Sequence, residues 1–280
     1  MAGRHREGPH GRQSCPGSCI GVALCYNTAT AWILDLDGVI WLSSDPVPGS
    51  SEAVARLREA GERIIFVTNN SSHPVGDVIE KLNSMDIEAD EDEVATSALA
   101  SAEMLEPGTK ALVCGGVGVK EALERRGVEP VYEGPADAVI VGWHREFDYE
   151  RLTAAYHAVD DGARLIGTND DPTYPTPDRP IPGGGSLLAA VAVAAGVEPE
   201  VAGKPHQPMA DLIRSRLGDD VDGAILVGDR PSTDGKMAEL LGVRFALVMS
   251  GVTTSDEVPD DPAPDHVVDD LQSLVDELLD

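Results

Sequence analysis

The chain has 280 residues, 42% of them hydrophobic and 25% charged, enough to bury a substantial core and unlike a disordered chain. Its 21 Lys+Arg against 49 Asp+Glu leave a formal charge of −28, a surface that repels nucleic acid and anionic membranes, so neither is an expected partner. No apolar run approaches the ~20 residues needed to span a bilayer, and the cytoplasm is the expected location.

Residues 1–30 hold Arg4, Arg6 and Arg12 against Glu7, so they carry +2 and the other 250 carry −30. So acidic a surface suggests a protein kept soluble at high salt, where the Debye length falls to ~3 Å at 1 M and self-repulsion is screened; a halophilic source is the hypothesis. The four cysteines, Cys15, Cys19, Cys25 and Cys114, are too sparse for a disulfide-stapled fold and contain no CxxC element. Residues 1–28 lack periodicity and are expected to be a flexible extension preceding the fold.

From Thr28 onward, short apolar runs alternate with helical patterns, the signature of βαβ units and a parallel sheet. Ala31 to Leu34 reads as the first strand, followed by a helix from Ser51 that Gly61 closes, and Ile64 to Val67 as the second strand. A helix from about Pro74 places Val78, Leu82 and Met85 on one face. Helix 95–105, strand 110–114, helix 118–126, strand 137–142, helix 149–161 and strand 164–167 follow, enough for a domain of their own. The segment Pro172 to Pro182, then Gly183, Gly184 and Gly185, reads as a hinge back to the first domain. Beyond it come helix 186–195, strand 200–202, helix 208–217, strand 224–227, helix 234–241, strand 244–248, Val267 and Val268, and helix 271–279. The expected fold is therefore α/β, a doubly wound parallel sheet from 29–85 and 181–280. A large α/β domain, 86–180, is inserted after its second strand.

Three apolar strands end in polar clusters: Asp35-Leu36-Asp37-Gly38, Thr68-Asn69-Asn70 and Gly228-Asp229. In a doubly wound sheet such ends converge on the crevice outside the C-terminal strand edges, so Asp35, Asp37, Thr68, Asn69 and Asp229 should share one site. Two unit charges 4 Å apart repel by ~4 kcal/mol at an effective dielectric of 20, so gathered carboxylates require a cation. Oxygen ligands without His or Cys favour a hard ion, and Mg²⁺ fits. Lys204, in Gly203-Lys204-Pro205, adds a fixed positive charge, and together they make an anion site suited to phosphoryl transfer. Asp35 is placed as a carboxylate nucleophile, and Asp37 as general acid and base. Thr68 and Asn69 would hydrogen-bond the phosphoryl oxygens, and Gly38 permits the tight turn.

Asp35-Leu36-Asp37-Gly38-Val39, Thr68-Asn69-Asn70, Gly203-Lys204-Pro205 and Gly228-Asp229-Arg230 with Thr233-Asp234 resemble the four ordered motifs of the haloacid dehalogenase superfamily. The nearest likeness is to its para-nitrophenyl phosphatase or NagD-like branch. It also takes in Gly167-Thr168-Asn169 through Pro175 and Gly183-Gly184-Gly185-Ser186, and so covers roughly 30–280. The resemblance implies a phosphoaspartate on Asp35 and Mg²⁺ held by Asp35, the main-chain carbonyl of Asp37, and Asp229. It makes Asp234 an outer-sphere support and the inserted domain a cap that closes over a small-molecule phosphate monoester. Gly235 departs from the pattern, since this branch usually has an apolar residue there, which bears on helix packing rather than on chemistry.

Other functions can use parts of this set. A phospho-accepting receiver domain also gathers acids, a Thr and a Lys around Mg²⁺, but has no use for Asp37 or for a lid. A dehalogenase of the same superfamily would need neither Mg²⁺ nor Asp37, and a silent phosphate-binding regulator would not need the whole set. Specificity is expected around 143–148 and 168–176, where Trp143 ends a strand; His144, His157 and His206 read as packing or surface residues. The sequence does not set the oligomeric state, and a homo-oligomer is one candidate.

Overall fold

In this computed structural model the structure describes residues 31–280 apart from 175, 177 and 178, so the expected extension 1–28, three of its cysteines, and Pro175 lie outside the described residues. The strands are β1 (Ala31–Asp35), β2 (Trp41–Leu42), β3 (Asp45–Pro46), β4 (Arg63–Thr68), β5 (Val94–Thr96), β6 (Lys110–Cys114), β7 (Glu129–Val131), β8 (Ala138–Val141), β9 (Arg164–Gly167), β10 (Thr173–Tyr174), β11 (Ile181–Pro182), β12 (Glu200–Val201), β13 (Ile225–Gly228), β14 (Arg244–Val248) and β15 (His266–Val268). The helices are α1 (Ser50–Glu59), α2 (Val75–Asn83), α3 (Ser97–Glu103), α4 (Val117–Arg126), α5 (Tyr149–Asp160), α6 (Gly184–Ala195), α7 (Gln207–Leu217), α8 (Lys236–Leu241) and α9 (Leu271–Leu279).

Six parallel strands form the first sheet in the order β15-β14-β13-β1-β4-β5. Counted along the chain within that sheet, this is the doubly wound order 3-2-1-4-5-6, whose switch point lies between β1 and β13. The strands are apolar on both faces, because helices cover both. Trp32, Leu34, Phe66 and Val227 point into one core with α1, α2 and α9, while Ile33, Ile65, Val67 and Leu226 point into another with α7 and α8. Helix ends follow local chemistry: Asp148 caps α5 through the Arg151 N–H, Asp270 caps α9 through the Ser273 N–H, and left-handed glycines 127 and 196 close α4 and α6.

The second sheet is also parallel, in the order β12-β9-β8-β6-β7, and comes from the stretch between β5 and β13. Its strands alternate likewise: Val113 and Ile140 face α3 and α4, while Leu112 and Val139 face α5 and α6. Three elements, β5, α6 and β12, sit on the other side of the expected divisions. Val94-Ala95-Thr96, within the expected insertion and overlapping the start of its helix 95–105, is a third strand of the first sheet, with Phe66 opposite Val94, so the insertion follows the third strand and not the second. At the far end, β12 pairs with β9, and α6 packs on the same sheet, where Gly167 leaves the room that Leu188 fills. Helix α3 joins the two bodies, with Ala100 in a core of the first sheet and Ala98 and Ala102 in a core of the second.

Candidate active site

The site lies at the switch point, where β1 ends in Asp35 and β13 leads into Asp229. A turn beyond β13 brings in Asp234, and the loop after β12 brings in Lys204. Carboxylate oxygens of Asp35, Asp229 and Asp234 lie within 4.8 Å of one another, and all three residues are buried. The Lys204 ammonium stands 2.7 Å from Asp35 Oδ1 and 2.7 Å from Asp234 Oδ1. Three buried carboxylates against one ammonium leave two negative charges, which is the charge a divalent cation would neutralise. The donor set is all oxygen, so the residues fit a hard ion such as Mg²⁺.

Each group is held from several sides. Asp35 Oδ1 also accepts the Leu36 N–H at 2.8 Å. Asp234 spends both oxygens, Oδ1 on Lys204 and Oδ2 on the Arg230 N–H at 3.1 Å, which suits a support for the lysine better than an inner metal ligand. Asp229 accepts the Val252 N–H at 2.8 Å, and its own carbonyl accepts the Thr253 hydroxyl at 2.6 Å. It sits in a slot that only glycines could line: a Cβ on Gly38, whose φ is +90°, would come 2.4 Å from Asp229 Oδ2, and one on Gly251 would come 2.1 Å from it. Gly228 gives Asp234 the same kind of room. Gly235 is also explained, because a Cβ there would meet Pro262 at 2.7 Å and the Phe245 ring at 3.1 Å.

Burial raises the Asp35 carboxyl well above its usual range; Lys204 opposes this, and Asp234, Asp229 and Asp37 add to it. Burial, with Asp234, pushes Asp229 up to about 6. Burial alone would pull the Lys204 ammonium down, but Asp234 and Asp35 more than offset it and raise it. Both acids are thus reluctant to ionise with Lys204 as their one close ammonium.

Of the expected site residues, Asp35, Asp229, Asp234 and Lys204 form this cluster, and Asp37 and Thr68 line the same cleft. The Asp37 carboxylate is not one of the gathered three. It accepts the Trp41 indole N–H at 3.0 Å instead, and Lys81 covers that ring at 3.6 Å. Asn69 lines the cleft as well, and its side chain is engaged by the loop that carries Lys204. Its Oδ1 accepts the Lys204 N–H at 2.7 Å, and its amide donates to the Lys204 carbonyl at 3.0 Å and to Asp171 at 3.1 Å. Sequence reasoning missed Trp41, Gly251 and Val252. The last two follow the C-terminal end of β14, so the strand-end argument used for Asp229 would have reached them.

The cleft above the cluster has a volume of about 410 Å³, within the usual range of small-molecule sites. Trp143, expected near the substrate, lines it, as do Asp171 and Tyr174 from the second expected specificity segment. His144 is buried against Phe147 with Nδ1 2.9 Å from the Gly142 carbonyl oxygen, a packing histidine. No helix among the described residues is long and apolar enough to cross a membrane.

Comparison with known proteins gives a consistent picture. Residues 32–129 match the family model described as haloacid dehalogenase-like hydrolase, and residues 201–274 match a second, HAD-hydrolase-like model. The chain is 35% identical over 252 residues to 5'-nucleotidase YutF of Bacillus subtilis, spanning 89% of this chain and 98% of that protein. It is similar to the p-nitrophenyl phosphatase from Archaeoglobus fulgidus, with a TM-score of 0.83 and 33% identity over 89% of this chain and 99% of that one. The glycerol phosphate phosphatase from Mycobacterium tuberculosis, solved in complex with magnesium, gives a TM-score of 0.80 and 30% identity over 89% of this chain and 77% of that one. The same phosphatase was also solved with calcium.

Proposed function

Because the chain belongs to the haloacid dehalogenase-like hydrolases, we propose that it is a Mg²⁺-dependent phosphatase that hydrolyses small-molecule phosphate monoesters through an aspartyl-phosphate on Asp35. The observation that carries this reading is the buried set Asp35, Asp229, Asp234 and Lys204, with its two uncompensated negative charges at the sheet's switch point. Asp35, Asp229 and the main-chain carbonyl of Asp37 would hold the ion, which when bound neutralises charge on the cluster and the phosphoryl oxygens. Thr68, with the main-chain N–H groups around Asn69 and Gly38, would receive those oxygens, and Asn69's side chain would serve them indirectly by fixing Lys204.

An Asp35 oxygen attacks phosphorus, the bond from phosphorus to the ester oxygen breaks, and Asp37 gives its proton to the departing oxygen. Water then attacks the acyl phosphate, Asp37 takes a proton from that water, and Asp35 leaves as carboxylate with inorganic phosphate released. Trp41 holds Asp37 for this work. Trp143, just beyond β8, and Asn169, just beyond β9, line the cleft, which supports a cap role for the body built on the second sheet. The test is phosphate release from para-nitrophenyl phosphate by wild type and Asp35→Asn. Loss of ~10³-fold or more is expected in the variant, with EDTA silencing the wild type. Full activity in Asp35→Asn would remove the covalent mechanism, activity that survives EDTA would favour a metal-independent enzyme, and a single turnover without steady release would favour a receiver-like switch.

A further inference from the structure

The β2–β3 hairpin carries the side chain that touches the proposed acid, and a lysine from α2 holds that hairpin. The Trp41 indole N–H donates to Asp37 Oδ1 at 3.0 Å. An indole N–H can only donate, so Oδ1 is kept as an acceptor and the proton that Asp37 delivers is left to Oδ2. Trp41 is buried and pairs with Pro46 across the turn Ser43-Ser44, where Ser43 takes a left-handed φ of +56° that a side chain keeps only when its surroundings hold it. Lys81 supplies that hold twice over. Its ammonium donates to the Ser43 carbonyl at 2.7 Å and lies 3.6 Å from the centre of the Trp41 ring. A cation on the face of an indole fixes the ring and polarises its N–H toward the acceptor. Burial draws the Lys81 ammonium below the usual lysine range and the charge of Asp37 opposes this, so cation and carboxylate act on each other across the ring. Lys81 is not among the residues that line the cleft, so it reaches the chemistry through Trp41 and Asp37 and not by touching a substrate.

We propose that Lys81 is a positioning residue for the general acid: stacked on Trp41 and bonded to the hairpin turn, it fixes the indole that aims Asp37 at the departing oxygen. The inference rests on the phosphatase reading, because it assigns a residue to the step in which Asp37 gives up its proton.

The test compares para-nitrophenyl phosphate, whose leaving group needs little protonation, with benzyl phosphate, an alkyl ester of similar size whose leaving group needs it fully. Lys81→Met keeps the length of the stem over Trp41 and removes the charge. Its kcat on benzyl phosphate should fall about tenfold with KM nearly unchanged, while kcat on para-nitrophenyl phosphate changes by about twofold or less. Lys81→Arg, which keeps a cation over the ring, should restore most of the loss. In an Asp37→Asn background Lys81→Met should cost nothing further on benzyl phosphate, since the group it positions is gone. Trp41→Phe keeps the ring under Lys81, removes the N–H, and should show the same selective loss, which covers the case of a Lys81→Met protein that does not fold. Equal losses on the two esters, losses that add in the Asp37→Asn background, or no loss at all would overturn the inference and leave the phosphatase reading standing. A wild type active on para-nitrophenyl phosphate and inactive on benzyl phosphate would also overturn it, since no acid would then be at work. Absence of phosphate release from both esters brings down both readings.

Discussion

Asp229 is where charge, burial and the proposed metal meet most directly. An acid whose pKa is raised by folding stabilises the fold while protonated. That contribution is complete below 3.8, the ordinary value, and is lost as pH rises through about 6. At ~1.36 kcal/mol per pH unit, the interval is worth on the order of 3 kcal/mol. In EDTA, Asp229→Asn should therefore match wild type near pH 4 and exceed its unfolding free energy by on the order of 3 kcal/mol at pH 7. Added Mg²⁺ at pH 7 should stabilise wild type and not Asp229→Asn; denaturant titrations in which the two proteins track each other at all pH values would contradict this. At Asp37, held by Trp41 rather than by the carboxylate cluster, Asp37→Asn should cost ~10²- to 10⁴-fold on alkyl phosphates and much less on aryl phosphates, whose leaving groups need little protonation. Equal losses in kcat would contradict the acid role. Asp35, Asp37, Lys204 and Asp229 were legible in the sequence because each sits at or just past the end of an apolar run. The side chain of Asn69 was not, because its partners Lys204 and Asp171 lie 135 and 102 residues away, and no local pattern encodes that pairing.

At the scale of elements, the site depends on backbone that comes close enough to touch a carboxylate. The segment after β14 brings Gly251 against Asp229, and Gly38 closes the slot from the turn after β1. Gly251→Ala should displace the Asp229 carboxylate and weaken Mg²⁺ binding at least ~10-fold by isothermal titration, since a methyl 2.1 Å from Oδ2 has no room. Gly76→Ala, on the exposed first turn of α2 with nothing within 4 Å of the new methyl, should instead add about 0.5–1 kcal/mol of stability with binding unchanged. Similar effects of the two substitutions would mean that the slot does not shape the site. The order of elements was legible because the period of the apolar pattern changes at each boundary, and β1, β6, β9, β14 and α9 lie where that pattern puts them. Which sheet a short strand joins was not. The two residues of β12 and the three of β5 carry no mark of their partner, and their membership is decided by the edge that the preceding chain reaches. Likewise β7 was missed, because Glu129-Pro130-Val131 lacks alternation and is an edge strand that pairs only with β6.

For the whole molecule the dominant fact is charge. Residues 31–280 contain 18 Lys and Arg against 48 Asp and Glu, so 30 carboxylates would remain if every cation took one partner. The ion pairs on the surface, such as Arg164 with Glu200 and Lys110 with Glu129, are solvent-exposed and worth ~0–1 kcal/mol each, far too little to hold such a surface together. Self-repulsion should therefore set the stability at low salt. Shrinking the Debye length from ~8 Å at 0.15 M to ~3 Å at 1 M should relieve it. A gain of about 3 kcal/mol corresponds to roughly 6–12 °C for a chain of this size, and Tm is expected to rise by that order between 0.15 and 1 M KCl. The shape of the curve matters as much as its height. Screening predicts a steep rise at first that flattens once the Debye length is shorter than the spacing between charges, whereas exclusion of salt from the surface would give a rise that continues to several molar. A Tm that stays level or falls with KCl would mean that the acidic surface is not a salt adaptation.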